Sequence, residues 1–382
     1  MIKLKKPELR RIVGHNAARI GNITRNARDR FLRTESMVVA GQLTYDVVHQ
    51  HGLASVRHYH RLTEDSIQLE SGESLPVSKT VHAIPLVIVA PLAVNMLIYD
   101  LFPQRSFIKY LLAKGFDVYL IDWGKPGLKH ASQTLATYAN ELVPSCVEAA
   151  HKHSGAKEIS LHGWSMGGGL AAIHAATAGK AYVRNLIMLG TPIDAHANGA
   201  MGTYFKQLGR AMRTMRLNLR KLPAQLAYAP GWVNVLGFKL MDPVSSIRGY
   251  LNLATQLENR EYVEQHANQA AFIDNLEAYP GGVIRDWMCS VWLENETAKG
   301  RFTVGHDIVH LDKVTANLLC IAGKKDNLTN VPCAKGIMSV VSSVDKEFFI
   351  GPGGHIGIMG GRESLATIWP KTAEWLAARS GR

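Results

Sequence analysis

Long hydrophobic runs, paired cysteines and low-complexity tracts are all missing from this sequence. Its longest nearly apolar stretch, residues 83–94, is shorter than the ~20 residues that span a bilayer. Because the first residues are charged rather than apolar, we expect neither a membrane-spanning helix nor a secretory signal. The cysteines, Cys146, Cys289, Cys320 and Cys333, stand far apart without C-x-x-C spacing, which indicates neither a zinc site nor a disulfide framework. A reducing cytoplasm is the expected location.

Acidic residues are scarce relative to basic ones, 31 against 43, which gives a formal net charge of +12. Residues 1–33 hold ten of the basic residues against two acidic ones, and a second basic run spans residues 210–221. The ordinary interpretation of such runs is a solvated basic face. The alternative interpretation is that these basic runs bind an anionic membrane or granule surface. Nucleic acid is a less favoured partner. A homodimer is also left open.

Nucleotide-binding and metal-binding motifs are also absent. The glycine-rich segment at residues 351–357 carries Ile356 where G-x-G-x-x-G needs glycine, and there is no P-loop. The pairs His49/His51 and His58/His60 could each share one face of a strand, but no acidic or cysteine partner stands in register. We therefore expect solvent-facing histidines, no metal and no cofactor.

Buried β-branched runs alternate with helical segments through much of the chain. The runs 84–90, 116–122, 158–162, 183–190, 317–323 and 346–350 predict a mainly parallel sheet flanked by helices, after an opening hairpin at 45–61. This regularity breaks in residues 195–310, where proline and glycine interrupt helical fragments. We predict a basic arm at 1–36, an α/β core at 37–194 and 311–382, and a mostly helical cap at 195–310.

The stretch at residues 159–170 predicts a strand, a sharp turn and a helix. Within it, Gly163-Trp164-Ser165-Met166-Gly167 fits the G-x-S-x-G pattern of a nucleophile elbow. Small residues after the turn allow the helix to approach the sheet and to direct its N-terminus toward Ser165. Ser165 is the predicted nucleophile.

A serine at neutral pH needs a base, and the base needs a carboxylate to fix its tautomer. In proteins with a nucleophile elbow, the three catalytic residues follow one another along the chain in the order serine, acid, histidine. Asp326 follows the penultimate predicted strand, and His355 lies in a glycine-rich loop after the last predicted strand. We predict Asp326 as the acid and His355 as the base. Asp194 is an alternative acid, and His306-Asp307 is an alternative source of the base from the cap side. His162 and His174 are interpreted as structural histidines.

We expect an oxyanion hole beside Ser165, Asp326 and His355, formed by backbone N–H groups that stabilise negative charge on the substrate's carbonyl oxygen. Its first donor is the backbone N–H of Met166, which follows the nucleophile. A second donor should come from the loop after strand 84–90. Because Pro91 has no N–H, Leu92 or Ala93 must supply it.

Over residues 40–380 the chain resembles the α/β-hydrolase superfamily and, more closely, the polyhydroxyalkanoate synthase family. The stretches that carry the resemblance are residues 85–101, 115–124, 238–243, the elbow, Asp326 and Gly354-His355-Ile356. The resemblance implies Ser165 as covalent acyl carrier, His355 as base and Asp326 as its partner, beneath a cap that gates a hydrophobic acyl tunnel.

One residue departs from that family, whose synthases carry cysteine where this chain has Ser165. The acyl group on a serine is held as an oxygen ester, which is less activated for transfer than a thioester, and water readily serves as the second nucleophile in a serine site. We therefore favour a serine hydrolase that cleaves a hydrophobic ester or thioester, including hydroxyalkanoates. The first alternative is an acyltransferase or synthase-like polymerase that uses Ser165. The second is a non-catalytic protein that binds a granule or membrane surface.

Overall fold

The computed structural model describes residues 6–241 and 243–381, with side-chain surroundings for residues 17–240 and 247–381. The strands in this part of the chain are β1 Tyr45–His51, β2 Ala54–Tyr59, β3 Ser66–Gln68, β4 Ser74–Pro76, β5 Leu86–Val89, β6 Asp100–Phe102, β7 Arg105–Ser106, β8 Val118–Asp122, β9 Ile159–Trp164, β10 Val183–Leu189, β11 Arg301–Val304, β12 Asp307–His310, β13 Asn317–Gly323 and β14 Lys346–Gly351.

The helices are α1 Lys6–Leu32, α2 Phe107–Ala113, α3 Val143–Ser154, α4 Met166–Ala176, α5 Gly199–Thr214, α6 Gly231–Met241, α7 Pro243–Thr255, α8 Arg260–Ile273, α9 Gly281–Trp287, α10 Val331–Lys335, α11 Ile337–Val340, α12 Gly357–Gly360, α13 Arg362–Ala366 and α14 Ile368–Ala377. A wider helical turn over Thr137–Leu142 leads into α3, and a second over Met288–Leu293 continues α9. No helix in the described ranges is long and apolar enough to cross a membrane.

Eight strands form the central sheet in the order β1-β2-β8-β5-β9-β10-β13-β14. Strands β1 and β2 are antiparallel, and the six strands from β8 to β14 pair in parallel. This arrangement confirms the predicted hairpin and the predicted mainly parallel sheet. The residues of β5 and β9 are buried on both faces of the sheet. The sequence of β5 is accordingly a continuous apolar run, whereas β9 also buries Ser160 and His162. The nucleophile strand β9 lies at the centre, between β5 and β10.

Three small hairpins in the described ranges lie where the sequence did not predict strands, and one of them is the β6–β7 pair. Residues 63–80, between the predicted hairpin and the run at 84–90, contain the β3–β4 pair, in which Ile67 and Leu75 are buried in the core. The end of the predicted cap contains the β11–β12 pair, in which Phe302 is buried against Trp287. Strands of three or four residues present too few alternating positions to give a clear period-two signal.

The N-terminal helix α1 packs against α8, which belongs to the predicted cap. Asn26 donates to the carbonyl of Leu257 at 2.8 Å, and Asp29 pairs with Arg260 at 2.7 Å. Arg19 pairs with Glu258 at 2.8 Å, so internal acidic partners offset part of the charge of the arm. Lys3 and Lys5 of the predicted basic arm lie outside the described residues. The division into arm, core and cap stays a proposal.

The elbow helix α4 is buried along its whole length. Its alanine and glycine residues let it lie close to the sheet, as the sequence indicated. Burial lowers the pKa of His174 on this helix to about 4, and lowers the pKa of His162 on β9 to about 4 as well. Both imidazoles are therefore neutral at pH 7 and enclosed in the interior, which agrees with their interpretation as structural.

Candidate active site

The turn between β9 and α4 holds Ser165 at its apex. Ser165 has φ 54° and ψ −126°, an uncommon backbone conformation for a residue with a side chain. Its backbone N–H donates to the carbonyl of Leu189 on the neighbouring strand β10 at 2.8 Å. The turn is therefore fixed to the sheet, and it carries the predicted nucleophile beyond the end of the strand.

Close backbone approach explains the two outer glycines of the G-x-S-x-G pattern. A Cβ at Gly163 would overlap the backbone of Gly168, and a Cβ at Gly167 would overlap the carbonyl oxygen of Val89 on β5. The second contact places the end of β5 directly beside the elbow. Both neighbours are backbone atoms, which cannot move aside without disturbing the sheet.

Gly163→Ala should therefore destabilise the protein by about 2 kcal/mol or more, since one methyl group forces the turn apart. Urea unfolding of the purified variant measures this change. Gly249→Ala is the matched control, because a Cβ at Gly249 within α7 meets nothing within 4 Å and alanine favours a helix. Equal stability of Gly163→Ala and native protein would contradict this account of the elbow.

The structure brings the three predicted side chains into one hydrogen-bonded line. His355 Nε2 lies 2.9 Å from Ser165 Oγ, and His355 Nδ1 lies 2.8 Å from Asp326 Oδ2. An ionised carboxylate only accepts, so His355 Nδ1–H donates to Asp326 and Nε2 can accept the hydroxyl proton of Ser165. This is the geometry that a serine nucleophile, a base and an orienting acid require.

The carboxylate of Asp326 is fully buried, and the backbone around it compensates for the lost water. Its Oδ1 accepts the N–H groups of Leu328 at 2.9 Å and Thr329 at 2.8 Å, while Oδ2 receives His355. Three donors hold the acid in one orientation. The imidazole keeps about a tenth of its side chain exposed, so it remains open to the cavity above.

The rival residues lie elsewhere. Asp194 Oδ1 accepts from Asn295 Nδ2 at 2.8 Å and helps to cap the turn at Ala195, without a bond to His355. His306 occupies the exposed turn between β11 and β12. The chain order and strand-end positions thus selected the three residues that the structure groups together, and their catalytic roles remain our proposal.

The predicted oxyanion donors surround the same serine. Met166 is the first residue of α4, so its N–H has no partner within the helix. Leu92 and Ala93 line the cavity beside Ser165, and Ala93 has φ 63°. Trp123 Nε1 donates to the carbonyl of Ala90 at 2.8 Å and anchors the start of this loop. Their role as an oxyanion hole stays a prediction.

A cavity of about 470 Å³ opens above Ser165 and His355. Its walls are mostly apolar, and they come from the core loops and from the predicted cap. The cap residues are Val233, Asn234, Gly237, Phe238, Tyr279, Trp287 and Trp292.

These cap residues were not predicted from the sequence as parts of the site. The spacing of Val233, Asn234, Gly237 and Phe238 matches one face of a helix, which was the available signal. Tyr279, whose hydroxyl donates to Met166 Sδ at 2.9 Å, carried no such signal.

The histidine pairs of the opening hairpin have protein partners. His49 and His51 both contact the hydroxyl of Ser145, at 2.8 and 3.0 Å. His58 contacts Asp117 and His60 contacts Asp46, at 2.7 and 2.9 Å. Within the described ranges, no three His, Cys, Asp or Glu side chains are grouped as a metal site would require.

Comparisons with known proteins agree with the fold. Residues 98–229 match a family model described as alpha/beta hydrolase fold. In structure, the chain is similar to a soluble variant of monoglyceride lipase from Saccharomyces cerevisiae solved with a substrate analog, with a TM-score of 0.53 at 14% identity, covering 88% of this chain and 96% of the lipase. Together with the central sheet and the nucleophile elbow, these matches show that the chain has the α/β-hydrolase fold.

In sequence, the chain is similar to poly(3-hydroxyalkanoate) polymerase subunits. One from Haloferax mediterranei is 29% identical over 378 residues, which cover 98% of this chain and 71% of the relative. One from Allochromatium vinosum is 27% identical over 321 residues, covering 83% and 87%. These matches confirm the resemblance seen in the sequence and support an enzyme.

Proposed function

We propose that the chain is a serine acyltransferase, which takes a hydrophobic hydroxyacyl group from a thioester onto Ser165 and passes it to a hydroxyl acceptor. The observation that carries the proposal is the hydrogen-bonded line of Ser165, His355 and Asp326 at the floor of an apolar cavity. The similarity to poly(3-hydroxyalkanoate) polymerase subunits over nearly the whole chain supports the choice of transfer.

In the acylation step, Ser165 Oγ attacks the carbonyl carbon of the thioester while His355 Nε2 takes the hydroxyl proton. The new oxygen–carbon bond forms, the carbon–sulfur bond breaks, and the proton passes from His355 to the departing thiolate. Backbone N–H groups of Met166 and of Leu92 or Ala93 would stabilise the negative charge on the carbonyl oxygen. Asp326 keeps the imidazole in the required tautomer and stabilises its protonated form.

In the second step, the hydroxyl of an acceptor attacks the acyl group on Ser165 and gives its proton to His355. An ester to the acceptor forms, the bond to Ser165 Oγ breaks, and His355 returns the proton to Oγ. One oxygen ester replaces another, so the step needs no further source of free energy. The apolar walls formed by Phe238, Trp287 and Trp292 disfavour ordered water and so favour an organic hydroxyl.

Hydrolysis is the second candidate function, and the serine itself favours it. Since Ser165 forms an oxygen ester rather than the thioester that a cysteine would form, the acyl group is less activated for transfer. Water would then serve as the acceptor by the same proton path. The two functions share the acylation step and differ only in which hydroxyl reaches the acyl group.

An acyl adduct on Ser165 tests the step that both functions share. The native protein is mixed with 3-hydroxybutyryl-coenzyme A, quenched in acid within seconds, digested and examined by mass spectrometry. The peptide that contains Ser165 should gain the mass of one hydroxybutyryl group. A gain on another residue, or no gain while coenzyme A is released, would contradict acylation at Ser165.

We also propose that a granule or anionic membrane is the surface that the basic segments meet. Arg25 and Arg33 on and beside α1 are exposed, and so are Phe31 and Leu32 next to them. Cationic and apolar side chains on one segment suit an anionic interface. Co-sedimentation with phosphatidylglycerol vesicles measures this binding. Equal sedimentation of the native protein and an Arg25→Glu, Arg33→Glu double variant would contradict the proposal.

A further inference from the structure

A second cavity, of about 540 Å³, lies next to the chain segment that follows Trp292. Trp292 itself lines the cavity above Ser165, but the two cavities have no lining residue in common. The second cavity is within the size range of small-molecule sites, and we call it the basic cavity. Basic side chains from α5, from the turn before β11 and from β11 line it: Lys206, Arg210, Arg213, Lys299 and Arg301.

The five basic side chains of the basic cavity form no ion pair within the described ranges. The two carboxylates that also line it are engaged elsewhere, because Arg220 Nη2 lies 3.3 Å from Glu294 Oε2 and 3.2 Å from Glu296 Oε1. Glu296 also accepts the hydroxyl of Thr303 at 3.0 Å. A cleft lined by unpaired charges of one sign concentrates the electric potential and attracts ions of the opposite sign. The basic cavity therefore suits an anion.

Helix α5 is fixed directly against the other wall of the basic cavity. A Cβ at Gly202 would overlap the carbonyl oxygen of Ala195. In the same way, a Cβ at Gly209 would overlap the carbonyl oxygen of Leu293. The three cations of α5 are spaced four and then three residues apart, so they share one face and extend over about 10 Å of the helix axis. A single phosphate group is too small to contact all three.

We infer that the basic cavity is a binding site for a soluble ligand that carries two or more phosphate groups. Three of its five cations are arginines, whose guanidinium groups bind phosphate oxygens through paired N–H donors. Burial lowers the pKa of His196 in the cavity lining, and the charges of Lys206 and Arg213 lower it further, so these cations lie close to the imidazole. A bound anion would offset the repulsion among these groups.

The lining distinguishes this site from a lipid-binding surface. Every residue that lines the basic cavity is polar or charged. A protein segment that binds a membrane interface combines cations with apolar side chains that enter the lipid, as Phe31 and Leu32 do beside Arg33. The basic cavity has no such apolar side chain, which favours a ligand in solution over a lipid headgroup.

Isothermal titration calorimetry with inorganic pyrophosphate and with ADP tests the inference. Both probes should bind the native protein at least about tenfold more tightly than inorganic phosphate, since a second phosphate group adds charge-assisted hydrogen bonds. An Arg210→Gln, Arg213→Gln double variant should bind both probes at least about tenfold more weakly. Arg25→Gln, Arg33→Gln is the matched control, because it removes the same charge from exposed residues outside the cavity. At about 0.15 M salt it should change the affinity less than about twofold.

Equal weakening in the two double variants would indicate non-specific attraction and overturn the inference, as would the absence of binding to both probes. Binding of phosphatidylglycerol vesicles that requires Arg210 and Arg213, without binding of ADP, would overturn it in favour of a lipid site. Because the titration needs no turnover, its outcome is independent of the proposed function.

Coenzyme A also carries a pyrophosphate, so the ligand has two possible sources. The KM for 3-hydroxybutyryl-coenzyme A separates them. It should rise in the Arg210→Gln, Arg213→Gln variant if the nucleotide end of the thioester occupies the basic cavity, and it should stay unchanged if a separate nucleotide or oligophosphate does.

Discussion

Replacing Ser165 by alanine is expected to lower the rate of thioester turnover by about 10⁴-fold or more, to the level left by binding and the oxyanion donors alone. The hydroxyl bonded to His355 Nε2 is the atom that forms the acyl bond in our proposal. Alanine has the same backbone preference as serine at φ 54°, so the fold should be retained. Coenzyme A release measures the loss, and circular dichroism checks the fold.

Ser339→Ala is the control for this experiment. Ser339 is exposed on α11, and its hydroxyl donates to the carbonyl of Gly336 at 2.9 Å. Its loss should leave turnover unchanged. Turnover by Ser165→Ala at a tenth or more of the native rate would mean that another group carries the reaction.

Asp326→Asn should lower turnover by about 10³- to 10⁴-fold with little change in KM. Oδ1 of Asp326 accepts the N–H groups of Leu328 and Thr329, so the oxygen of the asparagine amide will stay at that position. Its NH₂ group then faces His355 Nδ1 and donates to it. The proton of the imidazole moves to Nε2, where it points at Ser165 Oγ and prevents that nitrogen from acting as base.

Asp194→Asn is the matched control, since Asp194 was the rival acid and has no bond to His355. It should retain turnover within about tenfold and lose some stability, because Asp194 caps a turn. Steady-state kinetics of both variants with 3-hydroxybutyryl-coenzyme A separate the two residues. A larger loss from Asp194→Asn than from Asp326→Asn would contradict the assignment.

The sequence was informative about the sheet because its central strands are buried on both faces. Runs such as residues 84–90 and 183–190 are apolar over most of their length, and each appears as a strand within about two residues of its predicted ends. At the end of the core, α13 and α14 are separate helices that meet near Thr367. The hairpins β3–β4 and β11–β12 are too short for such a signal.

The proposed catalytic residues could be found from the sequence because their positions follow from topology. The carboxyl ends of parallel strands meet at one edge of the sheet, so residues just after β9, β13 and β14 are brought together whatever separates them in the chain. The cavity wall could not be found in this way. Which face of α6 lies over Ser165 depends on contacts between segments that are distant in the chain.

Product analysis tests the central claim most directly. Native protein and Ser165→Ala are incubated with 3-hydroxybutyryl-coenzyme A, and the products are separated by liquid chromatography with mass spectrometry. The account predicts hydroxybutyrate esters of two or more units that require Ser165. Free 3-hydroxybutyrate as the sole Ser165-dependent product would contradict acyl transfer and leave hydrolysis as the function.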